Sequence, residues 1–192
     1  RLTRESVTFE FAFTQQPQCG PSRTSMLTGR NPDALHVWSY KNSYFRNLKT
    51  ARTTLPQFFK DNGYSTSVLG KIFHWEPELF QDDYPYSWTW HRFTAPFSAG
   101  EKKCGGLSLF CPCPNGGSTC VDETLALAGI ARMQALAKQT TTPWFLAIGF
   151  RRPHLAWSLP VNYLQTTGLD VANVPLPDNR YYPSAAPTQA FY

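Results

Sequence analysis

The run Pro143-Trp-Phe-Leu-Ala-Ile-Gly-Phe150 is apolar almost from end to end. Its length suits a strand, and its continuity suits a strand covered on both faces, as in a parallel sheet. The rest of the chain reads in keeping with such a sheet. Thr119 to Lys138 predicts a helix, with Asp122 and Glu123 in its first turn, Lys138 in its last, and many alanines that permit close packing. Thr54-Leu-Pro-Gln57 reads as a capping box with proline near the helix start, opening a short helix through Asn62 that Gly63 ends. Tyr64 to Leu69, rich in Ser, Thr and Val, reads as a second strand, and the alternating Val7–Phe13 as another, broken by Gln15-Gln16-Pro17. The order strand, helix, helix, strand, helix, strand predicts an α/β domain with a mainly parallel sheet flanked by helices, and residues 1–192 form part of that single domain.

Between these elements the chain is rich in turns, with 16 prolines and 12 glycines. Asn31-Pro32-Asp33 reads as a turn, Ala34–Arg52 as a loop, and 75–118 as a long aromatic, Cys-rich loop of the kind that often carries function. Beyond Leu159 the chain reads as irregular, with one short helix near Val161–Leu164. Charged residues are only 16% and aromatics 15%, which argues against disorder. The net charge of +5 comes from scattered Lys and Arg, so it suits an anionic substrate better than a nucleic acid. No apolar run is long enough for a membrane span. Arg1 falls inside what reads as an amphipathic segment, so the chain reads as a piece of a longer protein, and the lack of a visible signal peptide carries no weight.

In parallel sheets, ligands sit beyond the carboxyl ends of the strands. Cys19 follows the first strand, Lys71 and His74 the second, and His154 the last, so all are expected on one edge. Pro21 suits a first helical turn, Ser22–Leu27 can continue it, and Gly29 can stop it. Cys19 is thus expected just before a helix N-terminus that favours an anion, with Arg23 about one turn further on. A Cys-phosphatase loop needs a wider spacing to wrap its amides round a phosphate, and the three residues between Cys19 and Arg23 are too few. Each residue also has a plain structural reading: Cys19 as a small core group, Gly70-Lys71 as a solvated turn, His154 as a hydrogen-bonded structural histidine. His36 and His91 read as loop residues. Cys104, Cys111, Cys113 and Cys120 read as two disulfides, of undetermined pairing, rather than a zinc site, because their spacings do not give two close Cys pairs.

Cys19-Gly-Pro-Ser-Arg23 followed by Leu27-Thr-Gly-Arg30 resembles the signature of the type I sulfatases. Gly63-Tyr-Ser-Thr-Ser-Val-Leu-Gly-Lys71-Ile-Phe-His74 resembles the second sulfatase signature, with Leu69 where a smaller or β-branched residue is usual. His154, in Arg152-Pro153-His154-Leu155, matches a further position. The similarity is strongest to the branch that removes the 2-O-sulfate of iduronate. It runs through Phe13–Cys19, Asn42–Arg46, Leu55–Tyr64, Gly70–His74, Asp82–Trp88 and Phe145–Phe150, and is weakest around Cys104–Cys120 and at the C-terminal end.

The resemblance implies an alkaline-phosphatase-like fold and a sulfuric ester hydrolase. It implies that a formylglycine-generating enzyme oxidises Cys19 to Cα-formylglycine, whose hydrate is the nucleophile and one ligand of a Ca2+ ion. It assigns Arg23, Lys71, His74 and His154 to catalysis, with Lys71 and His154 on the sulfate, His74 on hydrate or sulfate, and His154 also near the leaving group. Tyr44 and Arg46, with Lys41, are expected to meet the uronate ring of a sulfated glycan. The implied compartment is lysosomal, secreted or, in a bacterium, periplasmic. The family's Asp-Asp metal pair would precede Arg1 and a further Asp and Lys would follow Tyr192, while Asp82-Asp83 is not at the metal position. The 192 residues alone are therefore expected to be inactive. Two other functions share these residues: a silent module that binds sulfated glycans, and a phosphate or phosphonate ester hydrolase of the same superfamily.

Overall fold

A computed structural model describes residues 2–39, 45–47, 52–74, 82–90, 110–113, 121–154 and 157–160, with 163, 168, 173–175 and 178 as isolated positions. In chain order its elements are α1 (Cys19–Thr28), α2 (Pro32–Leu35), α3 (Leu55–Asp61), β1 (Ser65–Gly70), β2 (Phe110–Cys113), α4 (Val121–Leu136), β3 (Trp144–Gly149) and β4 (Trp157–Pro160), with 3-10 turns at Leu2–Arg4 and Phe45–Asn47. The two strands read most clearly from sequence are neighbours. β1 and β3 run parallel, with Ser65 opposite Trp144 and Gly70 opposite Gly149. A second parallel pair joins β2 to β4.

Alternation along β1 sends its side chains to two different layers. Val68 joins Leu27 of α1, Leu35 of α2, Val37, Phe45, Ile72, Phe73 and Trp88 in the larger core. Leu69 points the other way and packs with Val121 and Leu125 of α4. Helices therefore cover both faces, the layered α/β arrangement expected. α3 is held to the sheet by Phe59, whose ring stacks on Phe145 at 4.7 Å and meets Tyr64 edge-on at 4.9 Å. Its cap is the one read from sequence: Thr54 Oγ1 accepts the Gln57 amide at 3.2 Å. On α4, Gly129 lies so near the sheet that a Cβ there would stand 2.8 Å from Ile148 Cδ1.

Several expectations need correction. Val7–Phe13 is not a strand, and Val7, Phe9, Phe11 and Phe13 are 79–86% exposed. Alternation tells which face a strand would bury, but a strand also needs a partner for its backbone, and among the described residues this segment has none. Asn31-Pro32-Asp33 opens α2 rather than a simple turn, because Asn31 Oδ1 caps the Ala34 amide at 2.8 Å. β2 lies inside the expected 75–118 loop, and β4 runs into the stretch beyond Leu159 read as irregular. β3 is only partly covered, with Trp144 38% exposed, whereas β1 is buried throughout. The helix expected at 161–164 falls outside the described residues apart from Tyr163, as do Cys104, Cys120 and the side chains of Cys111 and Cys113.

At the carboxyl end of the sheet the strands touch through backbone. The Lys71 amide donates to the Gly149 carbonyl at 2.8 Å, and a Cβ on residue 149 would lie 1.9 Å from the Lys71 carbonyl oxygen. No side-chain rotation relieves a clash with backbone. Gly149→Ala is therefore expected to destabilise the full-length protein by about 3 kcal/mol, read from denaturant unfolding, against a small change for the open Gly63→Asn.

Candidate active site

α1 begins slightly earlier than expected, so that Cys19 lies in the helix and not just before it. Gln18 is extended and gives no side-chain cap, Cys19 is the first helical residue, and Gly29 ends the helix at φ 66 with its N–H on Ser25 O at 2.9 Å. Thr24 Oγ1 bonds Gly20 O at 2.9 Å within the buried face formed by Gly20, Pro21, Thr24, Ser25 and Leu27. Cys19 is half-buried at the positive end of this helix dipole.

Two cations of α1 and β1 meet there. Lys71, the first residue past β1, brings Nζ to 3.7 Å from Cys19 Sγ. Arg23 Nη1 donates to both the Lys71 carbonyl (2.8 Å) and the Ile72 carbonyl (2.9 Å), tying α1 to the segment that carries Lys71. Burial lowers the Arg23 guanidinium below its ordinary value, with Cys19 and then Asp82 acting in the opposite direction. Burial likewise lowers Lys71 below 10.5; Cys19 opposes this, while Arg23 and Arg151 add to it. Arg151 is thus a third cation of this neighbourhood, and it was missed by the sequence reading. The same rule that selected His154, position just beyond the carboxyl end of the last strand, would have found it.

Of the expected catalytic residues, Cys19, Arg23 and Lys71 are brought together directly. His74 is half-buried three residues past Lys71, on a segment whose Phe73 amide is held by Asp82 Oδ1 at 3.1 Å. His154 is exposed beyond β3, its amide on Arg151 O at 3.0 Å. Cys19 and Lys71 thus meet just past the carboxyl end of β1, although α1 comes there through the Arg23 bonds and not from the end of a strand. Tyr44 and Lys41 fall outside the described residues. Arg46 departs from its expected part. Its guanidinium is 10% exposed, bonds both oxygens of the 1% exposed Asp83 at 2.7 and 2.8 Å and Gln57 Oε1 at 2.7 Å, and lies over the Phe45 and Tyr86 rings. A buried carboxylate and two aromatic faces use the fork that a uronate would need.

The described residues offer no site for the implied calcium ion. Asp83 is committed to Arg46 and Ser87, Asp82 accepts the Phe73 amide, and the groups nearest Cys19 are cations. Among the described residues there is no cluster of three His, Cys, Asp or Glu that could hold a metal. These residues fit an anion, not a divalent cation.

The sulfatase family model matches residues 1–184. The chain belongs to the sulfatase family. Its α/β layers and parallel pairs are part of that family's alkaline-phosphatase-like fold. It is 34% identical to iduronate 2-sulfatase of Mus musculus and 33% identical to that of Homo sapiens, in each case over the whole of this chain and 36% of the relative. It is also 26% identical to human N-sulphoglucosamine sulphohydrolase, over 80% of this chain and 26% of that protein. The chain thus spans about a third of the iduronate 2-sulfatases it matches.

The lowered pKa of Lys71 gives this cationic neighbourhood a pH signature. Lys71 loses its charge below the usual 10.5, so inorganic sulfate is expected to bind the full-length protein more weakly as pH rises toward that value. In Lys71→Arg the charge persists and the slope flattens; in Lys71→Met affinity at neutral pH falls by about tenfold. Calorimetric titration with sulfate across the alkaline range measures both.

Proposed function

We propose that the full-length protein hydrolyses sulfate esters of sugars, and that residues 1–192 belong to its catalytic domain. The observation that carries this reading is the Lys71 ammonium 3.7 Å from the Cys19 sulfur, with Arg23 bonded to the Lys71 segment and Arg151 close by. Half-buried cations around one nucleophilic position suit the charge that develops on the equatorial oxygens during sulfuryl transfer.

In this reading Cys19 is converted to formylglycine by a formylglycine-generating enzyme, and the sulfur of the unconverted residue marks where an oxygen of the aldehyde hydrate stands. One hydroxyl attacks the ester sulfur as the S–O bond to the sugar breaks and the sugar alcohol takes a proton. The second hydroxyl then loses its proton, the aldehyde re-forms, and sulfate departs. Lys71 and Arg23 hold the sulfuryl oxygens, His74 steadies hydrate or sulfate, and His154 supplies the leaving-group proton. The identity to iduronate 2-sulfatases favours a 2-sulfated uronate at the end of a glycan, and with it a lysosomal or secreted enzyme. No helix among the described residues is long and apolar enough to cross a membrane.

Matched aryl sulfate and aryl phosphate esters test the reaction class on the full-length protein. The expected result is faster turnover of the sulfate, lost in both Cys19→Ala and Lys71→Ala. Preference for the phosphate would make it a phosphoester hydrolase, and binding of sulfated glycan without turnover of either ester would make it a silent lectin-like module.

A further inference from the structure

The turn that leaves β3 is pinned from another element. Asp122, in the first turn of α4, accepts the Arg151 amide at Oδ1 (2.7 Å) and the Arg152 amide at Oδ2 (2.9 Å). An acidic residue in a first helical turn is ordinarily explained by the helix dipole. Asp122 does more, because both of its oxygens reach across to consecutive amides of a separate segment. The His154 amide closes that segment on the Arg151 carbonyl at 3.0 Å. Two residues earlier, Gly149 is fixed against the backbone of Lys71, with no room for a Cβ between them. The chain around Arg151 is therefore held at both ends, by Lys71 below and by Asp122 above.

We propose that Asp122 is a positioning residue of the anion site, fixing the backbone at 151–152 so that the Arg151 guanidinium stands with Lys71 and Arg23 as a third cation for the sulfuryl oxygens. Gly149, two residues before Arg151, is bonded to the Lys71 backbone, and the like-charge repulsion of Arg151 on Lys71 agrees with this placement. An acidic side chain thereby strengthens an anion site without entering it, since its charge is met by two amides. This proposal rests on the reading of the Cys19 neighbourhood as a sulfate site.

Calorimetric binding of inorganic sulfate to the full-length protein tests it, with kcat and KM on a sulfate ester and the thermal midpoint recorded for every variant. Arg151→Met is expected to weaken sulfate by about tenfold, and Asp122→Ala by a similar factor. The double variant should bind no more weakly than either single one, because Asp122 acts through Arg151. Asp122→Asn, which keeps one acceptor oxygen and the side-chain volume, should recover part of the loss and serves if Asp122→Ala does not fold. Effects that multiply in the double variant overturn the proposal. So does a lower thermal midpoint for Asp122→Ala with unchanged sulfate affinity. If the unaltered protein binds sulfate and shows the coupled pattern but turns over no ester, the positioning role is supported and the hydrolase reading falls. Normal turnover with Asp122→Ala binding sulfate as before leaves the hydrolase and removes the role.

Discussion

Arg23 gives one nitrogen to two backbone carbonyls, those of Lys71 and Ile72. This pair of bonds joins the helix that carries Cys19 to the end of the strand that carries Lys71, and the rest of the site depends on it. Charged donors on neutral carbonyls form firm hydrogen bonds yet leave the positive charge uncancelled. A carboxylate in the same place would tie the elements equally well and would neutralise the charge an anionic substrate needs. Where the protein wants rigidity without charge it does use a carboxylate: Asp83 takes up the fork of Arg46 beneath the aromatic residues Phe45 and Tyr86.

The cost of this arrangement falls on the cations themselves. Burial acts on both Arg23 and Lys71 to disfavour their charged forms, and Arg23 and Arg151 add repulsion on Lys71. Such a cluster is unfavourable when empty and is relieved by a bound anion. That gives a reason for close backbone packing at Gly70 and Gly149, since only a rigid sheet end keeps like charges together. Differential relief, larger as charge builds on the transferring group, is what catalysis by electrostatics requires.

Much of this was legible in the sequence, and the failures have physical causes. β1, β3, α3 and α4 were read to within about two residues because the apolar run of β3, the Ser, Thr and Val content of β1, the acidic first turn of α4, Thr54 and Gly63 each act locally. Val7–Phe13 failed because a strand is a property of two segments, and its own pattern says nothing about the second. Arg46 failed for a similar reason: a guanidinium's chemistry announces an anion, but whether that anion is a sugar carboxylate or Asp83 depends on chain folding 37 residues away. Arg151 was overlooked for want of a family motif, although its place after β3 was in plain view. The chemistry of Cys19 rests on a signature rather than on geometry, because a thiol and its oxidised derivative are encoded alike.

The most direct test of the account is therefore the mass of the tryptic peptide containing Cys19, taken from the full-length protein made in its own host. The account predicts a peptide in which the CH2–SH group has become an aldehyde, losing sulfur and two hydrogens and gaining oxygen, and which reacts with hydrazides. A peptide that keeps an alkylatable thiol would contradict it, leaving a cationic pocket that holds sulfate but has no oxygen nucleophile with which to cleave the ester.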